Sequence, residues 1–174
     1  QTADIVLEKT GQKAVPLKTD WRLREFNFGT YEGDLNHTMW TDIAKSQGKT
    51  LEEWQAAGIS PKDFANSVAA LDKGRDPEGL NWPAEDYETI TKRLKAGIDE
   101  IAKESARKGG GNVLIVSHGL SITALVNTLD PELNVPAGLK NASVTKVIYK
   151  NGKYEIKEVG DMSFVELGQK LGGK

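Results

Sequence analysis

The stretch Val113-Leu-Ile-Val-Ser-His118-Gly119 is a short apolar run of strand-forming residues that ends on a histidine and a glycine. It follows the turn-rich Lys108-Gly-Gly-Gly-Asn112 and leads into an amphipathic segment, residues 120–129. This order predicts a buried strand, a tight turn and a helix, and open α/β sheets place their ligand sites at the carboxyl ends of such strands. We therefore expect His118 to lie at the ligand-binding edge of a parallel sheet.

The helix predicted after the glycine suits an anionic ligand. Its first backbone N–H groups have no partner within the helix, and the helix dipole adds partial positive charge at that end. The N–H groups of Gly119 and Leu120 are therefore candidates for binding phosphate, and His118 exchanges protons near neutral pH. The local pattern fits equally well a histidine that is hydrogen-bonded within the core, so both alternatives stay open at this point.

The composition limits the kinds of protein and site. A chain of 174 residues suffices for one domain, and 28% charged with 38% hydrophobic residues is typical of a globular protein. The net charge of −2 comes without the basic patch that nucleic-acid binding requires, and no apolar run approaches the length of a membrane span. Because the chain has no cysteine and only two histidines, we expect no disulfide and no metal site. We expect no cofactor either.

Cap signals divide the chain into helices. Residues 1–11 have the pattern of the second half of a helix without an N-cap, which predicts that the chain is an internal piece of a longer protein. Capping-box spacing at Thr50–Glu53 and the pair Ser60-Pro61 predict two helix starts, with Gly74 beyond the second helix. Apolar residues at helical spacing predict a long helix from about Pro83 to about Lys108.

A hairpin follows these helices. The pair Asn151-Gly152 lies between two strand-like segments, residues 141–150 and 153–159, and a short helix is expected around residues 164–171. Strands that alternate with long helices predict an α/β protein, a three-layer α/β/α sandwich with a mixed, mainly parallel sheet. We expect residues 1–174 to form a single domain. Residues 39–74, which carry helices but no strand, are expected to be a helical cap insertion near the ligand site.

Two motifs together resemble a known family. The stretches Leu23-Arg-Glu25-Phe-Asn-Phe-Gly29-Thr-Tyr-Glu-Gly33 and Val116-Ser-His118-Gly119 resemble, at this spacing, the histidine phosphatase superfamily, also called the phosphoglycerate mutase-like family. Residues 1–3, 82–88 and 141–144 are similar to further family segments, so the resemblance covers essentially the whole chain. It implies the phosphoglycerate mutase-like sandwich fold and a small phosphorylated substrate.

The resemblance also implies phosphoryl transfer through a phosphohistidine. In the family, a histidine in an Arg-His-Gly motif attacks the phosphoryl group, a second histidine and two arginines hold its oxygens, and an acidic residue protonates the leaving oxygen. By position, His118 is the second histidine and Glu25 is the acid. The attacking histidine and both arginines are expected before Gln1, in sequence that also supplies the neighbour of strand 113–117. We therefore expect residues 1–174 alone to be inactive and not to be a stable monomer.

Each implied role has a chemical requirement. A protonated His118, with the N–H groups of the helix start, would stabilise the equatorial phosphoryl oxygens. Glu25 must carry a proton to donate one, and we expect burial beside Phe26 and Phe28 to favour that form. His37 is a weaker candidate at the substrate mouth, with a solvated loop histidine as the more frequent alternative.

Other charged residues near the first motif have simpler expectations. Arg22 and Arg24 are expected to point to solvent, because they flank a predicted extended segment. Glu85 is expected to be structural, since negative charge is favourable near a helix start.

The residues after Glu25 bear on the reaction type. They are Phe-Asn-Phe-Gly29, whereas glycolytic mutases of the family typically have Arg-His-Tyr-Gly, so phosphomonoester hydrolysis is the first expectation. The alternatives are a cofactor-dependent phosphoglycerate mutase and a non-catalytic phosphate-binding or interaction domain. A homo-oligomer is possible, and the localisation is open, cytoplasmic by default with an exported bacterial protein as the alternative.

Overall fold

A computed structural model describes residues 1–58, 60–133, 135 and 138–172. These residues form a mixed α/β fold. The helices are α1 (Thr2–Lys9), α2 (Asn36–Ser46), α3 (Leu51–Ala56), α4 (Pro61–Arg75), α5 (Tyr87–Arg107), α6 (Gly119–Leu129) and α7 (Ser163–Gly172), and the strands are β1 (Val144–Lys150) and β2 (Lys153–Asp161). Two 3₁₀ turns, Trp21–Leu23 and Gly29–Tyr31, flank a loop formed by residues 24–28. No helix in this described part is long and apolar enough to cross a membrane.

Cap residues set the starts of α3 and α4 as the sequence predicts. Thr50 and Glu53 form a reciprocal capping box, in which each backbone N–H donates to the other side chain, at 2.8 and 3.2 Å. The Ser60 hydroxyl accepts the N–H of Asp63 at 3.0 Å, and proline follows as the first helical residue. Helix α4 ends at Arg75, so the prediction that Gly74 lies beyond it is wrong by two residues.

The long helix begins later than predicted. It starts at Tyr87 instead of Pro83, because Asp86 is the N-cap and its carboxylate accepts the Thr89 N–H at 2.8 Å. The two preceding residues are held outside the helix by other partners. The Ala84 N–H donates to the Asp72 carboxylate at 2.8 Å, and the Glu85 N–H donates to the Asn27 carbonyl at 2.9 Å.

The hydrophobic core joins α2, α4, α5 and α6. Ile43, Val68, Leu94 and Ala124, one from each helix, are at most 1% exposed. Burial of a large apolar side chain contributes about 1.5–3 kcal/mol. Phe26 enters the same cluster from the loop 24–28, so this loop is anchored directly in the core. The helices between residues 39 and 74 share this core, and their role as a cap stays a prediction.

The described residues contain one sheet, formed by β1 and β2 in antiparallel pairing. The predicted hairpin turn is confirmed, since Asn151 and Gly152 both have positive φ, 52° and 78°. The predicted strand 113–117 does not form a ladder with any described residue, and Val113 and Leu114 are 53% and 68% exposed. A strand needs a partner to satisfy its N–H and C=O groups. The parallel sheet and the three-layer sandwich therefore stay predictions.

Gly29, which follows the loop 24–28, packs closely against the Asp72 carboxyl of α4. Its φ is +60°, and a Cβ built there would lie 2.3–2.4 Å from the carboxyl atoms of Asp72. The buried Asp72 carboxylate accepts the N–H and the hydroxyl of Thr30, both at 2.7 Å, besides the N–H of Ala84. Burial of this carboxyl opposes its ionisation, but the hydrogen bonds from Ala84 and Thr30 outweigh that effect and hold the pKa of Asp72 below its usual value.

We expect Gly29→Ala to destabilise the protein by about 2–5 kcal/mol. The left-handed conformation costs a non-glycine residue about 1–2 kcal/mol. Displacing Asp72 leaves buried donors unsatisfied, which costs about 1–3 kcal/mol more. Urea unfolding measures the change. The matched control is Gly33→Ala, at φ +89° with no atom within 4 Å of the added Cβ, and an equal loss in both variants would contradict the contact with Asp72.

Candidate active site

The carboxylate of Glu25 lies at the amino terminus of α6. Its Oε1 accepts the N–H and the hydroxyl of Ser121, both at 2.9 Å, and its Oε2 accepts the Leu120 N–H at 3.3 Å. The Phe26 N–H also donates to Oε1, at 3.1 Å. The acidic group that occupies the positive end of this helix is therefore a side chain of the protein itself.

His118 lies at the same terminus. It is the N-cap residue of α6, with an extended backbone, and its carbonyl accepts the N–H of Ile122 at 2.9 Å. The residue is exposed, and its imidazole has no hydrogen bond to any residue of the described part. Within the described residues, His118 is therefore not a hydrogen-bonded core histidine. The structure thus brings His118 and Glu25 to one helix end, although the two residues are far apart in sequence.

The other predicted binding groups have different positions. Because the Leu120 N–H is directed at Glu25, we leave it out of the phosphate site, while the Gly119 N–H donates to no described residue. His37 lies in the first turn of α2, exposed, with Nδ1 3.5 Å from the Thr41 hydroxyl. It has no hydrogen bond to Glu25 or His118 within the described ranges, so its role at the substrate mouth stays a prediction.

The expected apolar setting of the Glu25 carboxyl is not what the structure shows. Phe26 is 3% exposed and belongs to the core cluster, and Phe28 packs edge-on against Phe64 with ring centroids 6.0 Å apart. The carboxylate has instead the four polar donors described above, because the loop 24–28 presents it to the open end of α6.

Side-chain bonds fasten this loop to the start of α6. The Ser117 hydroxyl donates to the Leu23 carbonyl at 2.7 Å, and the Ser121 hydroxyl, whose single hydrogen is shared with Glu25, lies 2.8 Å from the Arg24 carbonyl. These bonds lie on both sides of His118 in sequence. The loop that carries Glu25 and the segment that carries His118 therefore form one hydrogen-bonded unit.

A buried ion cluster behind the loop was not predicted from the sequence. Arg93 of α5 and Glu85 are 6% and 9% exposed, and they form a bidentate pair with two N–O distances of 2.8 Å. Arg24 also donates to Glu85, at 2.9 Å, and its guanidinium lies 4.5 Å from the ring centroid of Trp82. The expectation that Arg24 points to solvent is therefore wrong, because Glu85 and Trp82 hold its guanidinium.

The expectation that Arg22 points to solvent is also wrong, because two carboxylates hold its guanidinium. Its guanidinium is 2.6 Å from the Asp20 carboxylate and 2.8 Å from that of Glu100. The sequence does contain one signal of the buried cluster, since Arg93 falls on the apolar stripe of α5, between Ile90 and Leu94. A charged residue on a buried helix face needs a partner.

Comparison with known proteins gives the same family as the two motifs. A family model described as the histidine phosphatase superfamily (branch 1) matches residues 1–162. A 2,3-bisphosphoglycerate-dependent phosphoglycerate mutase of Borrelia garinii subsp. bavariensis is 30% identical, over 79% of this chain and 59% of that protein. A probable phosphoglycerate mutase of Yersinia enterocolitica is 29% identical, over 96% of this chain and 68% of that protein. The chain thus spans 59% of the length of the Borrelia relative.

A solved structure extends the likeness to three dimensions. The crystal structure of phosphoglycerate mutase from Bacillus anthracis str. Sterne matches with a TM-score of 0.85 and 40% sequence identity. The match covers 97% of this chain and 70% of that one. Together with the family match over residues 1–162, these likenesses show that the chain belongs to the histidine phosphatase superfamily.

Proposed function

We propose that this chain contributes a phosphate-binding histidine and a proton-donating carboxyl to a site that transfers phosphoryl groups through a phosphohistidine. The proposal is supported by one observation above all, that His118 and the Glu25 carboxyl both lie at the start of α6. The exposed imidazole, when protonated, binds phosphoryl oxygens as charge develops on them. The carboxyl of Glu25 protonates the leaving oxygen, an effect worth about 10²- to 10⁴-fold in rate.

The attacking histidine is a different residue in this proposal. The chain contains only His37 and His118, and His118 serves to bind phosphate. The attack comes from a histidine of an Arg-His-Gly motif that precedes residue 1. Its ring nitrogen forms a bond to phosphorus while the ester P–O bond breaks, and the leaving oxygen takes the proton of Glu25. A second oxygen nucleophile then gives its proton to Glu25 and forms a bond to phosphorus while the P–N bond breaks, which regenerates the attacking histidine.

The identity of the second nucleophile separates two functions. Water would make the protein a phosphatase, which Phe26-Asn-Phe28 favours, and a substrate hydroxyl would make it a mutase. The relatives named above support the mutase, a 2,3-bisphosphoglycerate-dependent phosphoglycerate mutase among them. Asn27 is also buried, with its amide bonded to the Pro83 carbonyl at 3.0 Å and to the Gly29 N–H at 3.1 Å. It is thus a structural residue here, and we place phosphoglycerate mutase first and phosphatase second.

Phosphorus NMR of the complete gene product with 3-phosphoglycerate tests this order. We expect 2-phosphoglycerate to form, at a rate that rises when 2,3-bisphosphoglycerate is added. Release of inorganic phosphate as the main product would favour the phosphatase. If 3-phosphoglycerate yields neither product and p-nitrophenyl phosphate is not hydrolysed, both enzyme functions are wrong. The alternative of a non-catalytic phosphate-binding domain then applies.

A further inference from the structure

Arg93 uses all five of its N–H donors within the protein. Its Nε and one hydrogen of Nη2 bind the two carboxylate oxygens of Glu85, each at 2.8 Å. Its Nη1 donates to the carbonyls of Arg22 and Arg24, at 2.8 and 2.9 Å. The remaining hydrogen of Nη2 donates to the carbonyl of Glu25, at 2.9 Å. One guanidinium therefore gathers three backbone carbonyls of the segment that carries the proposed acid.

This arrangement fixes the direction of the backbone at Glu25. The three carbonyls accept from a planar fork whose donors have a rigid geometry, so a shift of the segment would break several charge-assisted bonds together. Glu85 in turn fixes the plane of the fork, because its carboxylate binds Arg93 through both oxygens. The Asn27 N–H, which donates to the same carboxylate at 3.1 Å, holds the far end of the loop.

Glu25 is thus held from two sides. Its carbonyl is bound to Arg93 at the back of the loop, and its carboxylate is bound to Ser121 and Leu120 at the front. We propose that Arg93 is a positioning residue for the Glu25 carboxyl, which it aligns through the backbone without touching the substrate. The catalytic part of this proposal rests on the proposed function, whereas its structural part does not.

The first test compares Arg93→Lys with Arg107→Lys in the complete gene product. Both residues are arginines of α5, but Arg107 is exposed near its end. A lysine ammonium is a point charge that cannot replace the fork. We expect Arg93→Lys to lower kcat/KM for alkyl phosphates by about 10-fold or more, because a misplaced acid loses part of the roughly 10²- to 10⁴-fold that acid catalysis contributes. The kcat/KM for p-nitrophenyl phosphate, which reports a step whose leaving group needs no proton, should change little, and Arg107→Lys should match the parent.

An equal loss of kcat/KM on both substrates, or no loss on either, would overturn the proposal. If Arg93→Lys does not fold, Glu85→Gln provides the same test, because the loss of the Glu85 charge also frees the guanidinium of Arg93. The quantity compared is again the ratio of kcat/KM for alkyl phosphates to kcat/KM for aryl phosphates. In either variant, a larger loss of kcat/KM for alkyl than for aryl phosphates supports the proposal, and an unchanged ratio of the two values contradicts it.

Hydrogen exchange of backbone amides provides a readout that does not depend on activity. If Arg93 aligns Glu25, Arg93→Lys should speed exchange at the Ser121 amide by about 10-fold, corresponding to about 1.4 kcal/mol, while amides within α4 keep their rates. Should the complete gene product show no phosphoryl transfer, the proposed function fails and this comparison alone decides about Arg93. Unchanged exchange at Ser121 would then overturn the positioning role.

Discussion

Replacing His118 by alanine should lower the phosphoryl-transfer rate of the complete gene product by about 10²- to 10³-fold, the usual cost of removing one group that stabilises developing oxygen charge. The loss should appear in kcat as well as in kcat/KM, because the charge on the phosphoryl oxygens grows on the way to the transition state. Steady-state kinetics with a generic phosphomonoester measures both constants.

The fold should survive this change. The imidazole of His118 is exposed and forms no hydrogen bond with the described residues, so the unfolding midpoint of His118→Ala should equal that of the parent. Thr123→Ala, one turn further along α6, is the matched control and should keep the parent rate. A folded His118→Ala protein with parental kinetics would show that His118 does not bind the phosphoryl group.

Glu25→Gln should have an effect that depends on the leaving group. For alkyl phosphates we expect a loss of about 10²- to 10⁴-fold, because the amide cannot donate the proton that an alkoxide needs. For aryl phosphates with acidic phenols the loss in kcat/KM should be far smaller, since such a phenolate leaves without protonation and kcat/KM does not include the later dephosphorylation. A series of esters with leaving groups of increasing acidity measures the difference.

Glu32→Gln is the control for the same substitution in the same motif. The carboxylate of Glu32 is exposed and accepts the Phe28 N–H at 2.9 Å, away from α6. We expect this variant to keep the parental dependence on the leaving group. Equal losses of Glu25→Gln on alkyl and aryl esters would mean that Glu25 has another role, such as holding the start of α6 in place.

Structural features that depend only on residues close together in the sequence could be predicted from it. The capping box of Thr50 and Glu53, the Ser60-Pro61 helix start and the Asn151-Gly152 turn all appear where the sequence predicts them, because each satisfies its own backbone groups within a few residues. The segment 113–117 is different, since a strand is defined by a partner and no described residue provides one.

For the candidate site, too, the local motifs could be predicted from the sequence but the long-range contacts could not. The two motifs are enough to name Glu25 and His118, and the structure places both at the start of α6. The bonds that organise them connect residues about 70 to 96 positions apart, so no local pattern reveals them. Arg93 shows only as a charge on an apolar stripe, and that signal indicates burial without identifying the partner. The carboxyl of Glu25 at the helix start has no local signal either, so the sequence alone assigns the Leu120 N–H to phosphate.

The proposed mechanism requires a phosphorylated histidine other than His118, and a rapid-quench experiment detects it. The complete gene product is mixed with a ³²P-labelled phosphomonoester, quenched in base and digested, and the labelled peptide is identified. We expect an acid-labile phosphohistidine in an Arg-His-Gly peptide outside residues 1–174, with no label on peptides containing His37 or His118. Label on His118, or turnover without any phosphorylated histidine, would contradict it.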